Sequence, residues 1–176
     1  RKESSAASDV YKRQVNGHTG GTRLSEGVLS VSQDASLGDG ASDLMFNGGT
    51  LRVTGQSFSQ TARNLQWSAQ GGAFDIASAS NRFTVGQALS GAGDLVKLGA
   101  GTLVLTGTNA YGNTRVEAGT LVGNTDSIRG NLQNNGFVVF DQASSGTFGG
   151  DISGSGEATK TGAGVLTLSG RSVQNW

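Results

Sequence analysis

Ser90–Gly107 reads SGAGDLVKLGAGTLVLTG, and Ser153–Gly170, 63 positions further on (153 − 90), reads SGSGEATKTGAGVLTLSG, with 10 of 18 positions identical. A Gly-rich strand motif that recurs within one chain marks a stack of similar units, none able to bury its apolar face alone. A second echo joins Thr22–Val31, TRLSEGVLSV, to Thr114–Gly123, TRVEAGTLVG, 92 positions later (114 − 22). Taken as whole numbers of coils, the intervals 63/3 and 92/4 predict coils of about 21 to 23 residues. Three short strands and three turns fill that length, one circuit of a solenoid.

Around these segments the apolar residues alternate with period two, as in Leu51-Arg52-Val53, Phe74-Asp75-Ile76, Phe83-Thr84-Val85, Leu103-Val104-Leu105 and Leu166-Thr167-Leu168. Such triplets are short strands with one apolar face. Turn dipeptides separate them, among them Asn47-Gly48, Asn135-Gly136, Gly71-Gly72 and Gly149-Gly150. Asn-Gly is also the strongest hairpin signal, which keeps an antiparallel sandwich or propeller open. Coil-sized repetition decides for parallel stacking, and no segment has a convincing helical period. Trp67 falls on the inward set of Leu65-Gln66-Trp67. Phe137-Val138-Val139-Phe140 is apolar at both parities, so one pair must face outward; Val138 and Phe140 are the expected partner surface.

Composition narrows the function. Ser4–Gln14, SSAASDVYKRQ, resembles the in-frame translation of a common sequencing-library adapter, so residues 1–14 are expected to be a disordered scar outside the fold. Without them the chain has 9 basic (13 − 4) and 11 acidic (13 − 2) residues, a net charge of about −2. No basic stripe remains for a phosphate backbone, which argues against nucleic acid as a partner. Average usage would supply roughly nine prolines, yet there are none, in keeping with strands that all donate to ladders. Absence of cysteine removes disulfides and thiolate zinc sites. Thirty glycines and 35% hydrophobic residues make a turn-dense β composition.

The residues Gly91, Gly93, Leu95, Lys97, Gly99, Gly101, Thr102, Leu103, Leu105, Gly107, Asn109, Tyr111, Thr114, Val116, Gly119 and Leu121 form one ordered pattern within 90–123. In order and spacing it resembles the autotransporter-associated β-strand repeat of type V secreted passenger domains. Residues 15–31 resemble the end of a preceding copy. Gly154, Gly156, Lys160, Gly162, Gly164, Leu166, Leu168 and Gly170 resemble the start of a following one, within 153–170. Arg171–Trp176 departs from the pattern. The resemblance implies a right-handed parallel β-helix at the cell surface, with a signal peptide and a covalently linked C-terminal outer-membrane β-barrel elsewhere in the protein. It implies an adhesin stalk that presents binding or effector modules to a ligand on a host or neighbouring cell.

Three candidates for chemistry compete with scaffold roles. Lys97 and Lys160 occupy matching repeat positions, as do Asp94 and Glu157, and Arg23 and Arg115. Recurring groups make poor unique catalysts, so they are expected as solvated turn charges. Asp34, Asp39 and Asp43 in DASLGDGASD invite a calcium reading, but the spacing lacks an EF-hand pattern and loop polarity is the expectation. His18 is the sole histidine and has no triad spacing beside it. No catalytic residue, cofactor or metal is expected. The alternatives are a β-helix polysaccharide-active enzyme, which needs converging carboxylates with Arg or Lys, and a secreted self-associating surface protein.

Overall fold

The computed structural model describes residues 10–12 and 15–173. Short strands wind around three faces, and each pairs in parallel with its counterparts one coil away. The first face is one eight-stranded sheet: β1 (Val10–Lys12), β3 (Val28–Val31), β5 (Thr50–Val53), β7 (Gly72–Ile76), β9 (Leu95–Leu98), β11 (Thr114–Val116), β13 (Leu132–Asn134) and β16 (Ile152–Ser153). The second holds β8 (Arg82–Val85), β10 (Thr102–Leu105), β12 (Thr120–Gly123), β14 (Phe137–Asp141) and β17 (Glu157–Thr161). The third is made of β2 (Thr22–Leu24), β4 (Leu44–Phe46) and β6 (Leu65–Trp67) near its start, and β15 (Gly146–Phe148) with β18 (Leu166–Leu168) near its end. Among the described residues the only helix is a 3-10 turn, Asp34–Leu37. The expected parallel β-helix is therefore the fold, and the strand pairs of the described residues are parallel rather than hairpins.

Most of the segment expected to be disordered, together with Gln174–Trp176, lies outside the described residues. Within it, Val10–Lys12 pairs with Leu29–Val31 as the first strand of the first face. A sheet edge with unpaired amides and carbonyls accepts any extended segment that reaches it.

Coil length follows from the register of the first face. Val28, Thr50, Ala73, Val96, Arg115, Gln133 and Ser153 succeed one another at intervals of 22, 23, 23, 19, 18 and 20 in the numbering. The length expected from the echoes thus describes the early coils, and later ones are shorter. The early coils enclose the bulkiest core: Phe46 lies 4.9 Å from Trp67 and 4.8 Å from Phe74, and Phe58 is 5.0 Å from Phe83, centroid to centroid. A wider interior needs a longer circuit to surround it at normal packing density.

One assumption from the repeats is corrected. The echo at an interval of 63 is not three coils: three coils after Val96 comes Ser153, an interval of only 57 (153 − 96). Lys97 belongs to the first face, whereas Lys160 pairs with Phe140 on the second. Likewise Arg23 pairs with Met45 on the third face, and Arg115 lies on the first. Each echo overshoots a whole number of coils by one face. The reason is that the motif specifies a corner rather than a face. Gly27 and Gly119 turn with φ of 66° and 65°, and Gly99 and Gly162 with 75° and 80°, the same left-handed bend at different corners.

Inward side chains stack in columns along the axis. Phe83, Leu103, Leu121, Val138 and Ala158 form one, all buried. Where the first face begins, the backbone of successive coils closes up on a column of glycines, Gly71, Gly93, Gly112, Gly130, Gly150 and Gly170. A Cβ on Gly93 would meet Gly71 N, one on Gly130 would meet Gly112 O, and one on Gly150 would meet Gly130 O. Such contacts are far closer than any side-chain carbon tolerates.

Core and surface phenylalanines should separate cleanly. Phe74→Ala removes a fully buried ring from the aromatic stack and is expected to cost about 3–5 kcal/mol. Phe137→Ala, at 54% exposure, should stay within about 0.5 kcal/mol. Urea-denaturation midpoints of the two variants measure the difference, and similar losses would contradict the inward assignment.

Candidate functional site

The chemistry-bearing side chains are distributed along the solenoid, and most of them serve the backbone. In the loop DASLGDGASD the three aspartates do not converge. Asp34 receives Arg63, Asp39 Oδ1 accepts from the Ala41 amide at 2.9 Å, and Asp43 accepts from Asn64 Nδ2 at 3.2 Å and Gln66 Nε2 at 2.5 Å. The cation at the centre of the loop is Arg63, which is 2% exposed. Its guanidinium lies 2.9 Å from Asp34 Oδ2 and donates to Asp39 O at 2.6 Å, Gly38 O at 2.8 Å, Asp34 O at 3.0 Å and Ser42 O at 3.2 Å. A planar five-donor fork suits this many carbonyls, and the paired carboxylate with these hydrogen bonds offsets the cost of taking a guanidinium out of water. Neither the calcium reading nor simple loop polarity anticipated an internal cation supplied from the next coil. The signal available was Arg63 itself, flanked by Thr61 and Leu65 at inward parity.

Lys97 is the second correction. Expected as a solvated turn charge, it points inward from β9 between Phe74 and Val116 and is fully buried. Its ammonium reaches the corner, where Nζ donates to Leu98 O at 2.6 Å, Gly99 O at 2.8 Å and Ala118 O of the next coil at 3.1 Å. Burial lowers its pKa from 10.5 to about 8, and the nearby Asp75 charge opposes that fall. Lys160 has the same inward parity and donates to Gly162 O across the same turn, but it is exposed. Polar type alone hid the parity of both lysines.

Asn109 and Tyr111 of the repeat hold the third face where it lacks regular strands. Asn109 Oδ1 accepts from the Leu89 amide and its Nδ2 donates to Ser127 O, both at 2.8 Å, linking three coils. The Tyr111 hydroxyl donates to Ser127 O at 3.2 Å, lies 2.9 Å from Thr114 Oγ1 and accepts from the Arg129 amide. Burial drives its pKa up to about 12 against those hydrogen bonds. Along the neighbouring corner runs a ladder not foreseen from sequence. Asp94 Oδ1 accepts from the Asn113 amide at 2.7 Å, Asn113 Oδ1 from Asn131, Asn131 Oδ1 from Asp151, and Asp151 Oδ1 from Arg171, at 2.9–3.0 Å. Its signal was present in Gly93-Asp94, Gly112-Asn113, Gly130-Asn131 and Gly150-Asp151, at intervals of 19, 18 and 20 in the numbering.

The expected partner pair is also corrected. Val138 and Phe140 are 1% and 0% exposed and face the core; Phe137, and the half-buried Val139, face outward. The inward columns of β12 and β17 fix this parity, because Leu121 and Ala158 pair with Val138. His18 is exposed, with Nε2 3.0 Å from Thr22 Oγ1, and its ring packs on Gly38. A shallow depression beside it, between Thr19–Gly21 and Ala41–Asp43, carries no charge except the already engaged Asp43. Among the described residues no group of three His, Asp or Glu side chains converges.

The chain is a parallel β-solenoid whose corners are closed by glycines and by side chains that serve the backbone. Residues 15–31, 95–122 and 159–172 match the passenger-associated-transport-repeat family, and the chain carries autotransporter passenger repeats. The adhesin BmaC autotransporter of Brucella suis biovar 1 (strain 1330) is 39% identical over 163 residues, which is 90% of this chain. The chain spans about 5% of the length of that relative. No solved structure matches.

The buried lysine and tyrosine give stability a distinctive pH profile. Between pH 8 and 10.5 unfolded Lys97 holds a proton that folded Lys97 has lost, so stability rises with pH in that window. Above about pH 10 the unfolded Tyr111 ionises first, and from there to about 12 its contribution falls. Urea midpoints should therefore climb from pH 8 towards 10 in the wild type and stay level over that interval in Lys97→Met. A wild-type climb in the variant would assign the titration elsewhere.

Proposed function

We propose that residues 15–176 are one continuous run of passenger repeats acting as a non-enzymatic, surface-exposed stalk of an autotransporter adhesin. The observation that carries this is the use of charge: Arg63, Lys97 and Asp94 are engaged by backbone groups of their own or neighbouring coils. Among the described residues the remaining ion pairs are pairwise, Arg52 with Asp75 and Arg115 with Glu117. A polysaccharide-active enzyme would need carboxylates converging in a groove. Adhesive contacts with a host or neighbouring cell, and the outer-membrane barrel that would anchor the chain, belong on this reading to other parts of the protein. That the BmaC relative is an adhesin supports the assignment of class.

Deleting Asp94–Gly112 from the full-length protein removes one whole coil and joins Gly93 to Asn113, which then takes the place of Asp94, the residue it stacks on in the corner. Surface display, read with an antibody against a distal epitope, and cell adhesion should both persist. Deleting Asp94–Leu103 leaves a partial coil and should abolish display. Lost adhesion with intact display after the whole-coil deletion would place the ligand site in this segment and overturn the stalk assignment.

A further inference from the structure

We infer that the repeat winds around the solenoid, each copy carrying its outward groups onto the next face, so that a stalk built from it deals repeat-borne surface to three directions in turn. This rests on the stalk reading for its biological meaning and on register alone for its geometry. Between the first two copies the Thr-Arg segment moves from the third face, at Arg23, to the first, at Arg115. Between the second and third the Lys-x-Gly corner moves from the first face, at Lys97, to the second, at Lys160. Both steps have the same sense around the coil. The turns are preserved while the face changes, as the matched φ angles of Gly27 and Gly119 and of Gly99 and Gly162 attest.

A consequence is that the second face accumulates no uniform stripe. Along the second face the outward column runs Arg82, Thr102, Thr120, Phe137 and Glu157: a cation, two hydroxyls, an aromatic ring and an anion. Had the repeats been in phase with the coils, equivalent groups would line up on one side and form a row. Rows of identical groups on a flat parallel sheet invite side-by-side association of neighbouring stalks. A partner that grips a repeat-borne group instead meets single copies on each side, and a receptor array cannot gain avidity along one face from successive copies.

Distances between paired spin labels test the winding directly, because the chain has no native cysteine. Val28→Cys with Arg115→Cys labels one face four stacking steps apart, which should read about 20 Å at roughly 4.8 Å per step. Arg23→Cys with Arg115→Cys labels equivalent repeat positions and should read longer by about 5 Å or more, since the pair also spans a corner. Equal or shorter separation for the Arg23 pair would overturn the inference. If these variants fail to fold, Asp94→Cys with Asp151→Cys against Asp94→Cys with Glu157→Cys poses the same question, and the second pair should again be the longer. The distances depend on register alone, so a stalk assignment that fails in the adhesion experiment leaves them unchanged.

Discussion

Stacking backbone directly on backbone at a corner is the constraint from which the other features follow. Coils about one strand spacing apart leave no volume for a Cβ where the chain bends, so Gly71, Gly93, Gly112, Gly130, Gly150 and Gly170 recur in a column. Bending also turns amides and carbonyls out of the sheet ladders, and each must find a partner if it is covered. Asp94, Asn113, Asn131 and Asp151 accept from the amides of the following coil, while Lys97 gathers three carbonyls on another corner. Asn109 and Tyr111 do the same on the third face. The repeat motif is therefore an account of what a corner needs.

Much of the fold was legible in the sequence because strand alternation and glycine spacing are local. Leu103 and Leu105 face inward, Trp67 is core, and the strands are parallel. What was not legible depended on global geometry. The face occupied by a motif is set by the summed lengths of the intervening coils, and those lengths respond to core volume. Register steps by 22 or 23 through the wide aromatic coils around Phe74, and by only 19 and 18 between Val96 and Gln133. Dividing 63 by three could not reveal that.

Side-chain type misled at Lys97 and along Phe137–Phe140, and it left Arg63 unread, for a shared reason. Lys97 and Arg63 are cations, and cations are ordinarily solvated; here each is surrounded by carbonyls that a solenoid corner or loop exposes inward. Phe137–Phe140 offered no polar residue to mark the outward parity, so only pairing with Leu121 and Ala158 could assign Val138 and Phe140 to the core. In each case the deciding information was the neighbour one coil away, close in space and remote in sequence.

A comparison of two glycine substitutions puts the corner constraint to its most direct test. Gly93→Ala drives a methyl group into the Gly71 backbone and should destabilise the chain by about 2 kcal/mol or more in urea denaturation. Gly20→Ala meets no atom within 4 Å and should be neutral or stabilising by up to about 1 kcal/mol. Equal stability of the two variants would contradict the claim that closely stacked corners organise this protein.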